Sequence, residues 1–398
     1  MVALQQALLA LLLLSTCARH TNSLRPPRDR PNIVLFFVDD LGYGDLGFTG
    51  HPTAFTPALD RLASTGKRLT QCYSGYSVCT SSRTALMTGR QPSRVGMVGV
   101  INSLSVAGLP LTEITLADDL SAAGYQSLAL GKWHLGQLPQ YLPTARGFDS
   151  FLGLPFSVDD GEGFAPPCTN DSASTSPADG SSSSSSSGGS SRISASSGLG
   201  PSLPLPLIHQ RGRTESVIVE QPTNLRLLNA RLTAAAINFT SALQPDQPFL
   251  VYFAFGHVHT ATPNVDPLSN PYAGKQYAAC ESYGTSRRGL FGDALAEVDQ
   301  AVDALLGVNG HISQTLGLAR NTLTLFMSDN GPSVRWGNAA GSVGTFTGQA
   351  ATLQDGTPYT NTGKGSTWEG GIRMPAFAHW PGVIAPHTSS PEIVSTTY

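Results

Sequence analysis

Four short apolar runs, each ending in ionisable or amide side chains, constrain this chain more than any other feature. Asn-Ile-Val-Leu-Phe-Phe-Val leads into Asp39-Asp40, and Ser-Leu-Ala-Leu-Gly into Lys132 and His134. Phe-Leu-Val-Tyr-Phe-Ala-Phe leads into His257 and His259, and Thr-Leu-Thr-Leu-Phe-Met-Ser into Asp329-Asn330. A continuous apolar run without polar alternation reads as a strand buried on both faces, the habit of parallel sheets. Such strands have no other need of polar ends. The four pairs therefore converge on one edge of an α/β sheet, the edge at which open α/β sheets bind ligands.

Helical patterns fill the intervals. Thr56 to Ala63 reads as a helix with Thr56 as its cap and Pro57 at its first position, Thr112 to Ala123 contains the capped turn Thr115-Leu-Ala-Asp, and Ala230 to Leu243 is helical. Gly289 to Leu306 carries Leu290, Ala294, Val298, Val302 and Leu305 on one face. Met374 to Trp380 supplies a last strand. With 398 residues the chain has room for one large α/β domain or two smaller ones.

Residues 169–200 are mostly Ser, Gly, Ala and Pro, with a serine run from Ser181 to Ser187. With Ile193 and Leu199 its only large apolar side chains to offset its ordering entropy, this stretch reads as a disordered surface insertion. It interrupts a catalytic domain spanning 24–398 without dividing it, because the polar strand ends lie on both sides. The net charge of -3 includes no basic block, so nucleic-acid binding has no support.

Leu8 to Leu14 followed by Ser15, Thr16, Cys17 and Ala18 reads as a signal peptide over 1–23, too short for a transmembrane span. The expected setting is the secretory pathway, ending in the extracellular or periplasmic space or the lysosome, with sequons at Asn170 and Asn238 for a glycoprotein. Cleavage would leave Cys72, Cys79, Cys168 and Cys280, too few for a disulfide scaffold.

Asp39, Asp40, Asp329 and Asn330 make an all-oxygen donor set, which suits Ca²⁺ or Mg²⁺ better than zinc. Any one of them alone reads as a turn or helix cap; two pairs at separate strand ends favour a cation. Cys79 lies just ahead of a helix-forming run, with Ser81, Ser82 and Arg83 suited to the helix N-terminus and Gly89 to its C-cap. That location binds anions. From cysteine usage alone Cys79 reads as half of a disulfide, with Cys72 nearby.

Cys79-Thr80-Ser81-Ser82-Arg83 with Leu86-Met87-Thr88-Gly89-Arg90 resembles the signature of the type I sulfatases, and Gly131-Lys132-Trp133-His134-Leu135-Gly136 resembles their second signature. Ser81 stands where that family has Pro or Ala. The match runs from Pro31 to the C-terminus outside the serine-rich insertion and is closest to the arylsulfatase branch. It implies an alkaline-phosphatase/sulfatase-like fold, a large mixed sheet flanked by helices, with a smaller C-terminal antiparallel subdomain that this chain stops short of at Tyr398.

The resemblance further implies sulfate ester hydrolysis by a formylglycine hydrate made from Cys79 by the formylglycine-generating enzyme. The substrate class is a small-molecule, glycan or lipid sulfate ester. A cation, usually calcium, would be held by Asp39, Asp40, Asp329 and Asn330 and would contact residue 79. Arg83 would hold the hydrate, Lys132 and Lys364 would bind sulfate oxygens, Ser157 would lie near the substrate, and His134 would assist the formylglycine. His259 would protonate the leaving alkoxide. Strand alternation puts His257 on the same side as His259, so spacing does not separate them; the resemblance selects His259. Two other readings stand beside this one: a phosphate or phosphonate monoester hydrolase of the same superfamily, and a catalytically silent binding protein in which Cys79 stays a thiol or disulfide.

Overall fold

A computed structural model describes residues 30–162, 203–212, 215–259, 286–348, 350–352, 358–360 and 362–397. The expected signal peptide, the serine-rich insertion, Asn170, Cys17, Cys168 and Cys280 lie outside the described residues.

The main sheet contains β1 (Asn32–Val38), β2 (Lys67–Tyr73), β3 (Gln126–Lys132), β4 (Ser150–Leu154), β5 (Leu207–Arg211), β6 (Glu215–Glu220), β7 (Phe249–Ala254), β8 (Thr322–Ser328), β9 (Arg373–Met374), β10 (Ala376–His379) and β11 (Thr388–Ser395). Its centre is parallel in the order β8, β1, β7, β3, β4. All four apolar runs singled out in the sequence are in this centre. β5 and β6 extend one edge in antiparallel fashion. At the other, β10 lies antiparallel to β8, and β2 lies antiparallel to β9 and β10 with β11 parallel beside it. The single strand expected over Met374 to Trp380 is thus two short ones, with Pro375 between them, a residue that cannot donate to a ladder.

Helices on both faces explain why the central strands are apolar without alternation. On one face Val34, Phe36, Leu130, Val251 and Phe253 share a core with α1 (Pro57–Thr65), α4 (Leu225–Ala242) and α5 (Gly289–Leu306). On the other, Ile33, Leu35, Phe37, Leu250 and Tyr252 pack with Met87 of α2 (Cys79–Thr88) and Ala117 of α3 (Leu116–Ala122).

Local signals set the helix ends. Thr115 and Asp118 cap α3 reciprocally, Asp118 N–H to Thr115 Oγ1 at 3.2 Å and Thr115 N–H to Asp118 Oδ2 at 2.9 Å. Thr56 does not cap α1 with its side chain. Asp299 from α5 does so, accepting from Ala58 N–H at 3.1 Å and Leu59 N–H at 2.9 Å. α4 starts earlier than its apolar pattern suggested, at Leu225, because Asn224 accepts from Arg226 N–H at 3.1 Å.

Candidate active site

Cys79 is the first residue of α2, not the last of the preceding loop, because Ser82 N–H already bonds to Val78 C=O at 2.9 Å. Ser81 and Ser82 are accordingly inside the helix. Ser81 Oγ lies 2.8 Å from Met97 C=O and 2.9 Å from Gly99 C=O, and accepts from Gly99 N–H at 2.8 Å. The hydroxyl at this position fastens the 97–101 loop to the start of α2. Gly89 closes the helix with φ 66°, as its position predicts.

The carboxyl ends of β1, β3 and β8 meet Cys79. Its Sγ is 3.4 Å from Asp39 Oδ1 and 3.1 Å from Lys364 Nζ. Asp39, Asp40, Cys79 and His259 can bring ligand atoms within 4.8 Å of one another, all four buried. Lys132 Nζ donates to Asp39 Oδ2 at 2.5 Å and to Ser157 Oγ at 3.0 Å. Lys364 Nζ is 2.7 Å from Asp40 Oδ1. Arg83 donates to Asp329 Oδ2 at 2.9 Å and to Lys132 C=O at 2.6 Å, and lies 3.6 Å from Asp39. Each carboxylate therefore already has a cationic partner, buried for Lys132 and Arg83 and partly exposed for Lys364.

Asn330 Nδ2 donates to Asp40 Oδ1 at 2.7 Å, whereas Asn330 Oδ1 is buried without a hydrogen-bond partner. A buried amide oxygen left unpaired is costly, and a cation would satisfy it. Asp39, Asp40 and Asn330 thus fit a hard cation. Asp329 faces Arg83 and the Asp40 N–H, the latter at 3.1 Å, and does not join the ligand-atom cluster.

Two site residues hold the left-handed backbone that non-glycine residues avoid: Asp40 at φ 57° and His134 at φ 59°. Gly131, at φ 83°, turns the end of β3; a Cβ there would lie 1.9 Å from Ala254 C=O.

The two histidines that spacing left together are separated. His257 Nε2 sits 2.9 Å from Glu297 Oε2 of α5. His259 Nε2 is 3.6 Å from Asp40 and 3.9 Å from Asp159, and it lines the cavity over Cys79. His134 Nε2 lies 2.8 Å from Ile101 C=O, so that nitrogen carries the proton, and its buried Nδ1 has no hydrogen-bond partner.

Burial, then Lys132 and Arg83, lower the pKa of His134 well below the ordinary imidazole value, keeping it neutral. Burial raises that of Asp39, but Lys132, His259 and Arg83 outweigh it and hold the carboxyl well below the usual range. Burial and Asp39 push Asp329 up to about 7 against the pull of Arg83. Burial and Asp39 also push the Cys79 thiol up, so an unmodified Cys79 is a neutral thiol and a poor nucleophile. Cys72 and Cys79 are both free, which removes the disulfide pairing for this couple.

Sequence reasoning gave no role to several neighbours. Asp160, 3.9 Å from His134, is raised to about 7 by burial and by Asp159. Asp45 accepts from Gly42 N–H and Ser342 N–H, each at 2.7 Å, and pairs with Arg288 at 2.9 Å. Asp159 and Asp160 follow Ser157 by two and three residues. Nothing local marks the Ile101 carbonyl, and apart from Gly42 the partners of Asp45 are remote in sequence.

The family model described as Sulfatase matches residues 31–398. Human arylsulfatase A is 40% identical over 362 residues, covering 89% of this chain and 60% of that protein. Rat arylsulfatase G is 36% identical over 372 residues, covering 92% of this chain and 63% of that protein. Among solved structures, the PsFucS1 sulfatase from Pseudoalteromonas sp. aligns with a TM-score of 0.69 at 29% identity, over 92% of this chain and 65% of that one. The chain spans about 60% of the length of the first of these relatives. Matched along the whole of its sheet and through every strand end that builds the site, the chain belongs to the sulfatase family.

Proposed function

We propose that this protein hydrolyses sulfate esters, with residue 79 acting in its formylglycine form. The carrying observation is the position of Cys79, at the N-terminus of α2 and within 3.4 Å of both Asp39 and Lys364. A formylglycine hydrate there would supply a hydroxyl nucleophile and, after covalent capture of the sulfo group, a second hydroxyl through which sulfate is released. A divalent cation, Ca²⁺ by its oxygen donors, would be held by Asp39, Asp40 and Asn330 with Asp329 beside them, and would neutralise charge gathering on the sulfate.

The chain's own side chains divide the remaining work. Lys132 and Lys364 bind sulfate oxygens, and Arg83 holds residue 79 in place. Ser157, hydrogen-bonded to Lys132, orients that lysine toward the substrate. His259 delivers a proton to the departing alkoxide. His134, neutral and with Nδ1 unpaired, accepts the proton from the hydroxyl of residue 79. The formylglycine-generating enzyme is the maturation partner on this reading, and the secretory pathway is the compartment.

The test is turnover of 4-nitrophenyl sulfate beside 4-nitrophenyl phosphate. The sulfate ester is expected to be the better substrate. Cys79→Ala is expected to lower its turnover by on the order of 10³-fold or more without loss of fold by circular dichroism. A phosphate preference, or substantial activity in the variant, would overturn the assignment.

A further inference from the structure

A sulfate ester has two halves, and the groups above serve the sulfate and the bridging oxygen but not the body of the alcohol. Around buried Cys79 and His134 the cavity, of about 260 Å³, continues outward to Val100, Ser333, Arg335 and Trp336. Ligand pockets usually measure ~300–1,000 Å³, so this one has room for a sulfate and the ring next to it. The leaving alcohol therefore has to meet its outer wall.

That wall has a defined chemistry. The Arg335 guanidinium stands over the Trp336 ring, 4.8 Å from its centre. Arg335 is exposed and has no carboxylate partner among the described residues. The carboxylate on the lining, Asp159, faces His259 Nε2 at 3.9 Å. The wall is also keyed to the sulfate-binding groups. Residues 333–336 follow directly from Asp329-Asn330, Trp336 N–H bonds to Ser333 C=O at 3.1 Å, and Lys364 N–H bonds to Pro332 C=O at 2.8 Å.

We propose that Arg335 and Trp336 form the leaving-group subsite, and that this subsite selects sulfate esters of a flat ring bearing a second negative charge. The inference rests on the sulfatase reading. An indole face stacks on a ring of any charge. A guanidinium without a counter-charge gains from a carboxylate or second sulfate, which it can bind through two parallel hydrogen bonds, and gains little from a neutral ring.

Two esters separate these contributions: 4-nitrophenyl sulfate and its 3-carboxy derivative. Wild-type protein is expected to show a KM about tenfold lower for the carboxylated ester. Arg335→Gln should abolish that preference with kcat held within about twofold, and Arg335→Lys should restore part of it. Trp336→Leu should raise KM for both esters about fivefold. Equal KM values in wild type, or an Arg335→Gln effect of the same size on both esters, would overturn the proposal. Quenching of tryptophan fluorescence by the nitro ring reports binding without turnover. Wild type that turns over neither ester yet binds the carboxylated one more tightly, through Arg335, refutes the hydrolase and retains the subsite. Equal binding of the two refutes the subsite.

Discussion

Arg83 is the residue on which the site's charge balance turns, since it is wholly buried and contacts Asp329, Asp39 and the Lys132 carbonyl. Removing one member of such a network strands the others. Arg83→Leu is therefore expected to cost about 3–5 kcal/mol in urea denaturation, well beyond what its packing alone would explain. Asp329→Asn in the same background should recover part of that loss, because it removes the stranded carboxylate. At this scale the sequence was informative where a polar residue ended an apolar run, as at Asp39, Lys132 and Asp329. It was silent where the partner is a backbone atom, as for His134 and Ile101, because any residue offers a carbonyl. Nor did spacing announce that Lys132, Lys364 and Arg83 lie against the acids; the buried, unpaired Asn330 oxygen beside them is what a cation would satisfy.

Among the elements, α1 shows a cap supplied from outside its own segment. Asp299 accepts from Ala58 and Leu59 N–H, yet burial, together with Asp60 and Asp303, raises its pKa to about 6. The folded value lies above the unfolded one, ~3.9, so between these the native state holds more protons and stability falls as pH rises. Asp299→Asn should flatten that part of the profile, changing the difference between pH 4 and pH 6 by on the order of 2 kcal/mol in chemical denaturation. An unchanged slope would show that Asp299 does not titrate in this window. The central strands were legible because burial on both faces leaves an unbroken apolar run. β2 and β11 were not: Lys67–Tyr73 is half-exposed, and Thr388–Ser395 is polar and contains Pro391, so neither carries a hydrophobic signature. α4 was placed late at its start because its first turn is recognisable only by the Asn224 cap.

For the molecule as a whole, the sheet gathers groups from positions 39 to 364 into one buried cluster, so cation binding and global stability are linked. Ca²⁺ at about 100 times its dissociation constant should stabilise the fold by about 2.7 kcal/mol and raise Tm by several degrees. Asp40→Asn should lose that increment, as read by differential scanning calorimetry with and without a chelator. A Tm indifferent to calcium in wild type would remove the ion from the proposal. The overall architecture was accessible from sequence because four strand ends and two helix faces are mutually consistent; the outer strands add area without adding pattern.

The seclusion of residue 79 sets an order of events in biosynthesis. With only 2% of Cys79 accessible and α2 packed beneath the sheet edge, the proposed macromolecular oxidising catalyst would reach the sulfur only on a nascent or unfolded chain. Iodoacetamide should label this thiol readily in denatured protein and slowly in native protein, where burial and Asp39 hold it as the neutral thiol. If residue 79 acts in its oxidised form, as proposed, a molecule that finishes folding with its sulfur intact would stay inactive, and the yield of active protein would be fixed by a race between chemistry and collapse.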